Sequence, residues 1–437
     1  MSPRNQVRES AESLRRRSVV AVRTLFHAQS SDYVVMVATV LFLVLFGLVM
    51  VLSSSFVVAA KTPEGNPFSV GWRQGLWAFI ALPIMLVASR MPTVFWRKWA
   101  PTFMLGGLIL QSLVAFTSLG VTSGGNTNWL SLGGLTGQPS EFLKAALVIW
   151  MAWVLSTRMS QLDTPSSLVF PFFAGVGMAI GLVLAGQDLG TAGIMTVIVL
   201  GVLFVAGIPL RVMVLALAGV AGAGLIASLV APYRMERFAV WMSGCAPEDY
   251  LGQCWQSIQG TGALGSGGIF GVGLGNSRSK WSWLPEAETD FIYAVIGEEL
   301  GLIGTSIVII AYTVLAVSMV RLIRSNPDPF AKLVTTGMMV WITGQALVNI
   351  AVVLEYLPVL GVPLPFISSG GSALLAGLGG MGVVMSLHRA RPEPIAAGGP
   401  TPPKRTVPAR PATAPSSGRR VVSRPSATPT PRRVASR

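Results

Sequence analysis

Ten runs of apolar residues divide the chain, at about 33–58, 73–89, 101–119, 141–156, 168–186, 190–206, 211–231, 291–320, 332–354 and 367–388. Crossing the hydrocarbon core of a bilayer takes roughly 20 helical residues, and most of these runs are about that long. The polar intervals between them are short, except for one of about 232–290. The fifth and sixth runs are joined tightly through Gly186-Gln187-Asp188-Leu189-Gly190. The pattern predicts an all-α integral membrane protein, a bundle of about ten transmembrane helices with a long extracytoplasmic loop between helices 7 and 8.

Composition agrees. Hydrophobic residues make up 52% of the chain and charged residues 11%, against ~25% charged in a soluble domain. The net charge of +14 resides in the ends. Before Asp32 there are six Lys/Arg and two Glu, a net of +4, and from Arg389 onward eleven Lys/Arg and one Glu, a net of +10, so the membrane body nets zero. No basic folded face of the kind that binds nucleic acid is visible. Lys and Arg favour the cytoplasmic side. With the N-terminus inside, Arg90, Arg97, Lys98, Arg158, Arg211, Arg321, Arg324 and Lys332 also fall inside. The expected organisation is a basic cytoplasmic arm (1–32), a polytopic domain (33–388) and a basic, Pro-rich cytoplasmic tail (389–437). The tail lacks the large apolar residues needed for a core and is expected to be disordered. It would serve as a solvated anchor or dock a cytoplasmic partner. The first apolar run is too long for a cleaved signal peptide.

Ionisable groups near a membrane are costly and therefore candidates for function. Glu141 and Lys144, three apart at the start of the fourth helix, can pair on one face. Asp188 stands at an outer turn, where it could equally cap the sixth helix. Asp290 stands where the long loop enters the eighth helix, and Glu355 ends the ninth. These charges converge on the outer face and suggest a polar cavity opening outward. Glu298 and Glu299 lie deeper, Glu298 roughly 12 Å below Asp290 at the rise of an α-helix; they could instead bind the backbone of a neighbour. Asp290 is the strongest candidate, because a loop dense in Gly and Trp precedes it and no basic residue lies close in sequence. The glycines from Gly260 to Gly275 lack the βαβ context of a dinucleotide site; they suit close backbone approach to a helix or ligand. Cys245 and Cys254 share the long loop, where a disulfide between them competes with two unrelated thiols. No metal-binding spacing of Cys and His occurs. His27 and His388 are expected to be idle.

Four stretches resemble the SEDS (shape, elongation, division and sporulation) family. They are Trp129-Leu-Ser-Leu-Gly followed by Gln138-Pro-Ser140-Glu141-Phe-Leu-Lys144; Asp188-Leu-Gly-Thr191; Trp283-Leu-Pro-Glu-Ala-Glu288-Thr-Asp290 running on to Gly-Glu298-Glu299-Leu-Gly; and Pro363-Leu-Pro-Phe-Ile-Ser368-Ser-Gly370-Gly-Ser372. The chain departs from the family pattern at Asn128, where arginine is common, and at Gln187, where proline is. Glu288 replaces a common histidine, and Ser369 a common tyrosine.

The resemblance implies a peptidoglycan glycosyltransferase that polymerises lipid II at the outer face of a bacterial cytoplasmic membrane, partnered by a class B penicillin-binding protein and other division proteins. The division branch is expected from the long basic tail, with the elongation branch as the alternative. The family's essential aspartate maps onto Asp290, the expected general base, its basicity raised by partial burial and by Glu288. Lys144, held by Glu141, is the expected pyrophosphate ligand, a job that a divalent cation (magnesium or manganese) could share. Trp129, Gln138, Ser140, Asp188, Glu288, Glu298, Ser368 and Gly370 complete the expected substrate-binding set. Trp129, Trp281 and Trp283 could stack on sugars or anchor at the interface. A lipid II flippase and a non-catalytic divisome scaffold remain as readings from other classes.

Overall fold

The computed structural model describes residues 30–60, 65–123, 126–133, 135–158, 165–230, 254–281 and 284–389, with positions 241, 242, 244 and 252 besides. Cys245, Trp283, the N-terminal arm and the C-terminal tail lie outside the described residues. The helices are α1 (Ser31–Ala60), α2 (Ser69–Ala88), α3 (Thr93–Phe116), α4 (Pro139–Arg158), α5 (Pro165–Ala185), α6 (Leu189–Val205), α7 (Leu210–Val230), α8 (Trp255–Gly267), α9 (Ile292–Ser325), α10 (Pro329–Met339), α11 (Gln345–Val353) and α12 (Gly371–His388). A π-helical turn, Val340–Gly344, joins α10 to α11, so Pro329–Val353 forms one span. Among the described residues seven helical stretches are long and apolar enough to cross a membrane, and three shorter apolar ones lie within α5, α6 and α7. Together these ten stretches fall on the ten apolar runs of the sequence.

The most enclosed span is α4. Leu143, Leu147, Val148, Met151 and Ala152 are buried, and α4 packs against α3, α5, α6, α10 and α12. Small residues permit close approach in a bundle without a hydrophobic driving force between helices: a Cβ on Gly337 would lie 2.6 Å from Val148 Cγ1, and one on Gly107 would lie 2.9 Å from Leu143 Cδ1. Asp328 caps α10 by accepting the Phe330 amide, with Pro329 in the first turn, where its missing N–H costs nothing. The same carboxylate pairs with Arg97 of α3 at 2.5 Å. Nearby, His388 joins α12 to Asn326 and to Thr335 at 3.2 and 2.7 Å. The ring expected to be idle thus ties three elements at the end of the bundle where the tail begins.

Two further features stand out, the first not foreseen and the second giving the close backbone approach to a helix expected of the 260–275 glycines. The segment after α3 forms a three-stranded antiparallel sheet, β1 (Gly120–Ser123), β2 (Asn126–Leu132) and β3 (Leu135–Gly137). Its register sets Val121 against Trp129 and Leu130 against Gly137. The sheet rests on the α5–α6 turn through a 2.9 Å bond from Thr127 N–H to Gly186 O.

The second is an exchange of backbone bonds at a break in α9. Gly301 (φ 65°, ψ −160°) interrupts the helix, which frees carbonyls before it and amides after it. The loop following α8 supplies the missing partners. Val272 and Gly273 donate to Glu298 O and Glu299 O at 2.9 and 3.0 Å, while Leu302 and Ile303 donate to Gly268 O and Ile269 O at 2.9 and 3.3 Å. Irregular backbone at membrane depth requires such satisfaction. Gly271 (φ 80°) makes the contact sterically feasible, since a Cβ there would stand 2.1 Å from Glu299 O. Gly271→Ala should therefore lower the melting temperature of the detergent-purified protein, through about 1–3 kcal/mol of backbone strain plus the clash. An unchanged melting temperature would mean that the loop docks some other way.

Candidate functional site

Asp290 ends the loop that becomes α9, and the main chain of residues 288–290 is fixed by three donors. Asn349 Nδ2 donates to Asp290 O at 2.7 Å and to Val362 O at 2.8 Å. Ser368 Oγ donates to Thr289 O at 2.5 Å. Ser369 N–H donates to Glu288 O at 2.8 Å. Three consecutive carbonyls are thus bound by α11 and by the loop before α12. That loop is itself held by Gln74 of α2, which donates to Ser368 O at 3.3 Å and accepts the Gly370 amide at 3.1 Å. The Asp290 carboxylate lies beside Gly361, where a Cβ would come within 3.6 Å of Oδ2. Gly361 has φ 67°, so a larger residue would be both strained and set against the carboxylate.

One turn of α11 from Asn349, Gln345 Nε2 donates to Pro363 O at 2.8 Å and Gln345 Oε1 accepts from Lys144 Nζ at 2.9 Å. Lys144 also donates to Glu141 Oε1 at 2.9 Å, and its ammonium sits 4.9 Å from the centre of the Trp341 ring. The pair is almost wholly buried, with side-chain exposures of 2% and 3%. The Asn349 and Gln345 amides bind adjacent carbonyls of one loop, so they join the Lys144 centre to the Asp290 centre. Neither amide was among the expected site residues. Two polar side chains four apart inside an apolar span are the signal that would have drawn attention to them. A cavity of about 20 Å³, enough for one water, lies between Glu141, Gln345, Pro363, Ser368 and Leu374.

Asp188 caps α6 by accepting from Thr191 N–H at 2.9 Å and Thr191 Oγ at 2.8 Å, and it accepts from Asn128 Nδ2 at 3.1 Å and Gln138 Nε2 at 3.3 Å. It thereby fastens β2, which carries the half-buried Trp129, to the start of α4. Ser140 is buried, and its Oγ has no partner among the described residues. Glu298 and Glu299 bind the loop at 277–280 and Ser53 of α1. Glu355 accepts from Thr261 Oγ of α8 at 3.3 Å. Cys254 is buried and disulfide-bonded.

Burial pushes the Glu288 carboxyl above the ordinary carboxylate value, opposed by a hydrogen bond to its own backbone and assisted by Glu286. A raised pKa means that the folded state holds a proton which the unfolded chain has already released. Stability at this position is therefore lost as pH rises from the ordinary carboxylate pKa through the raised one. Glu288→Gln should be more stable than the parent at neutral pH, with the difference vanishing in acid below the ordinary value. Melting temperatures across that range would check it; a difference that does not change with pH would rule out the linkage.

Two apolar grooves lie between the spans. One, about 480 Å³, runs between α5, α6 and α7 from Leu184 past Ile180 to Phe173. The other, about 460 Å³, lies between α2, α3, α4 and α12.

The FtsW/RodA/SpoVE family profile, described as cell cycle protein, matches residues 33–393. The chain belongs to this family. Among its SEDS relatives, the probable peptidoglycan glycosyltransferase FtsW of Mycobacterium tuberculosis is 35% identical over 368 residues, covering 84% of this chain and 70% of the relative. Stage V sporulation protein E of Bacillus subtilis is 35% identical over 362 residues, covering 82% and 97%. The fold is similar to a chain solved in a peptidoglycan synthase complex that coordinates polymerization and crosslinking (TM-score 0.63, 27% identity, 81% of this chain and 96% of that one). It is also similar to the rod shape determining protein RodA of Thermus thermophilus (TM-score 0.58, 25% identity, 82% and 97%). This SEDS chain is thus a multi-span membrane protein with a RodA-like fold.

Proposed function

We propose that the chain polymerises lipid II into glycan strands at the outer face of the cytoplasmic membrane during septal wall synthesis, with Asp290 as the general base. The coarser statement, a SEDS peptidoglycan glycosyltransferase, rests on family membership and on the curated relatives. The observation that carries the finer one is the anchoring of Asp290: its backbone is held by Asn349 while its carboxylate flanks Gly361. In the reaction a sugar hydroxyl oxygen attacks the anomeric carbon. The new glycosidic C–O bond forms as the bond to the lipid pyrophosphate breaks, with inversion. The hydroxyl proton passes to the Asp290 carboxylate and the pyrophosphate leaves on its lipid.

Charge developing on that leaving group needs a cation, and Lys144 is the candidate. Its ammonium is engaged by Glu141 and Gln345, so an arriving pyrophosphate would compete with a carboxylate for it. A magnesium or manganese ion could share the task. Among the described residues no group of three or more His, Cys, Asp or Glu gathers as a metal site, so such an ion would be held largely by the pyrophosphate itself. Either apolar groove can take a lipid tail. The outward orientation is supported by the Lys/Arg distribution. The septal role is supported by the tail composition and by the relatives named FtsW.

A flippase needs polar groups along a path through the bilayer, whereas Glu298 and Glu299, the deepest of the carboxylates, are both engaged in holding a loop. A class B penicillin-binding protein is the proposed partner, since a similar chain occurs in a peptidoglycan synthase complex. The test is glycan synthesis from purified lipid II by the protein mixed with candidate class B partners. Polymer from the wild type and none from a folded, partner-binding Asp290→Asn variant is expected. Equal polymer from both would remove Asp290 from the chemistry.

A further inference from the structure

We propose that Glu298, Glu299 and Lys280 are positioning residues for polymerisation: together they clamp the start of the 280–291 loop onto the helix into which that loop runs, and so hold Asp290 in register with the acceptor hydroxyl. The inference rests on the reading of Asp290 as the base.

The two carboxylates are neighbours in sequence, 2% and 0% exposed. Adjacent buried anions are tolerated only when each is compensated, and here each is compensated by the same short segment. Glu298 accepts from Ser277 Oγ at 2.6 Å, from Arg278 N–H at 2.7 Å and from Ser279 N–H at 3.4 Å. Glu299 accepts from Lys280 Nζ at 3.3 Å and from Ser53 Oγ of α1 at 2.8 and 2.6 Å. Lys280, 4% exposed, donates in addition to Gly275 O. The donors of four consecutive residues thus converge on two side chains of α9. Beyond Lys280 the chain is pinned again by the buried Leu284 and Ala287, reaches Asp290 and becomes α9. Because the clamp sits on α9 itself, it closes 280–291 into a loop whose two ends are fixed to one helix. Ser53 extends the attachment to α1.

Stability alone does not call for this chemistry. Well-packed apolar residues in place of a buried ion pair are often neutral or stabilising. A closed loop with an ionic base fixes geometry instead, and a misplacement of about 1 Å can cost on the order of 100-fold in rate.

The experiment uses the full chain with its class B partner in lipid nanodiscs and compares wild type, the double variant Lys280→Met/Glu299→Gln, and Glu298→Gln. Removing both charges together avoids stranding either one, and Glu298→Gln keeps shape while replacing one of the two accepting oxygens with an NH2 donor, so that Arg278 N–H on one oxygen and Ser277 Oγ with Ser279 N–H on the other can no longer all be satisfied. Three quantities are read: melting temperature, backbone hydrogen exchange across 281–291, and kcat and KM for lipid II. The clamp predicts that at least one variant keeps a near-parental melting temperature, while exchange across 281–291 rises about tenfold or more and kcat falls about tenfold or more at similar KM. Parental exchange across 281–291 in a folded variant overturns the clamp. So does faster exchange with parental kcat, and so does a rate loss that only tracks a fall in melting temperature. Were the wild type itself inactive, the reading of Asp290 would fail, and hydrogen exchange alone would still decide whether the clamp exists.

Discussion

Asp290→Asn is expected to lower kcat for glycan polymerisation by about 100- to 10,000-fold, the range supplied by a positioned general base, with KM for lipid II little changed. The split follows from which part of Asp290 each contact uses. Asn349 binds the carbonyl oxygen of Asp290, and Ser368 and Ser369 bind the two carbonyls before it. None of these bonds needs the carboxylate. An isosteric amide should leave the loop in place, the partner bound and the substrate accommodated, while removing the proton acceptor. Asp290→Glu is informative beside it. It restores the acceptor but pushes it about one methylene further toward Gly361, and a displacement of that size can cost on the order of 100-fold. Steady-state kinetics on purified lipid II with a fixed class B partner would measure both. A fall in kcat/KM carried entirely by KM would assign Asp290 to substrate binding, and unchanged kinetics would remove Asp290 from the chemistry.

The parts of the molecule legible in the sequence are those set by local rules. A bilayer fixes the length of an apolar run, so ten runs foretell ten spans. The Glu141–Lys144 contact follows from three-residue spacing on a helix, and the Asp188 cap from an acidic residue before a helix start. What stayed hidden depends on pairings between distant segments. Nothing near Gln345 or Asn349 in sequence reveals that their amides bind carbonyls of 362 and 363, because the partners are backbone groups that every sequence carries. The break at Gly301 is invisible for the same reason: its cost is offset by amides and carbonyls of residues 268–273, and the glycines there report flexibility without naming the partner. Glu298 and Glu299 were readable as unusual, since ionisable groups in a span are expensive. Apart from Ser53 of α1, their partners lie about twenty residues upstream, and only the folded loop shows them to be main-chain amides, a serine hydroxyl and a lysine.

The second large effect concerns Lys144, and the two halves of its ion pair should not be equivalent. Lys144→Met removes the ammonium and leaves Glu141 buried with its charge uncompensated, since Lys144 is the cation that reaches it among the described residues. Stranding a buried charge costs about 3–5 kcal/mol, a large fraction of a typical folding free energy. Glu141→Gln strands the ammonium instead, but Lys144 keeps the Gln345 oxygen at 2.9 Å and the face of Trp341 at 4.9 Å. A cation over a desolvated ring retains about 2 kcal/mol of attraction, and a glutamine at 141 still offers an amide oxygen. Glu141→Gln should therefore be clearly the milder in thermal stability. If Lys144 also steadies the departing pyrophosphate, the same order holds for chemistry, over and above the difference in stability. Glu141→Gln frees the ammonium from its carboxylate and should preserve kcat, whereas Lys144→Met should depress kcat beyond what its folded fraction explains. Melting temperatures and kcat per folded molecule, measured on both variants, separate the two effects. Equal destabilisation by both would mean that Trp341 and Gln345 do not hold the cation, and equal kcat would remove Lys144 from the leaving-group site.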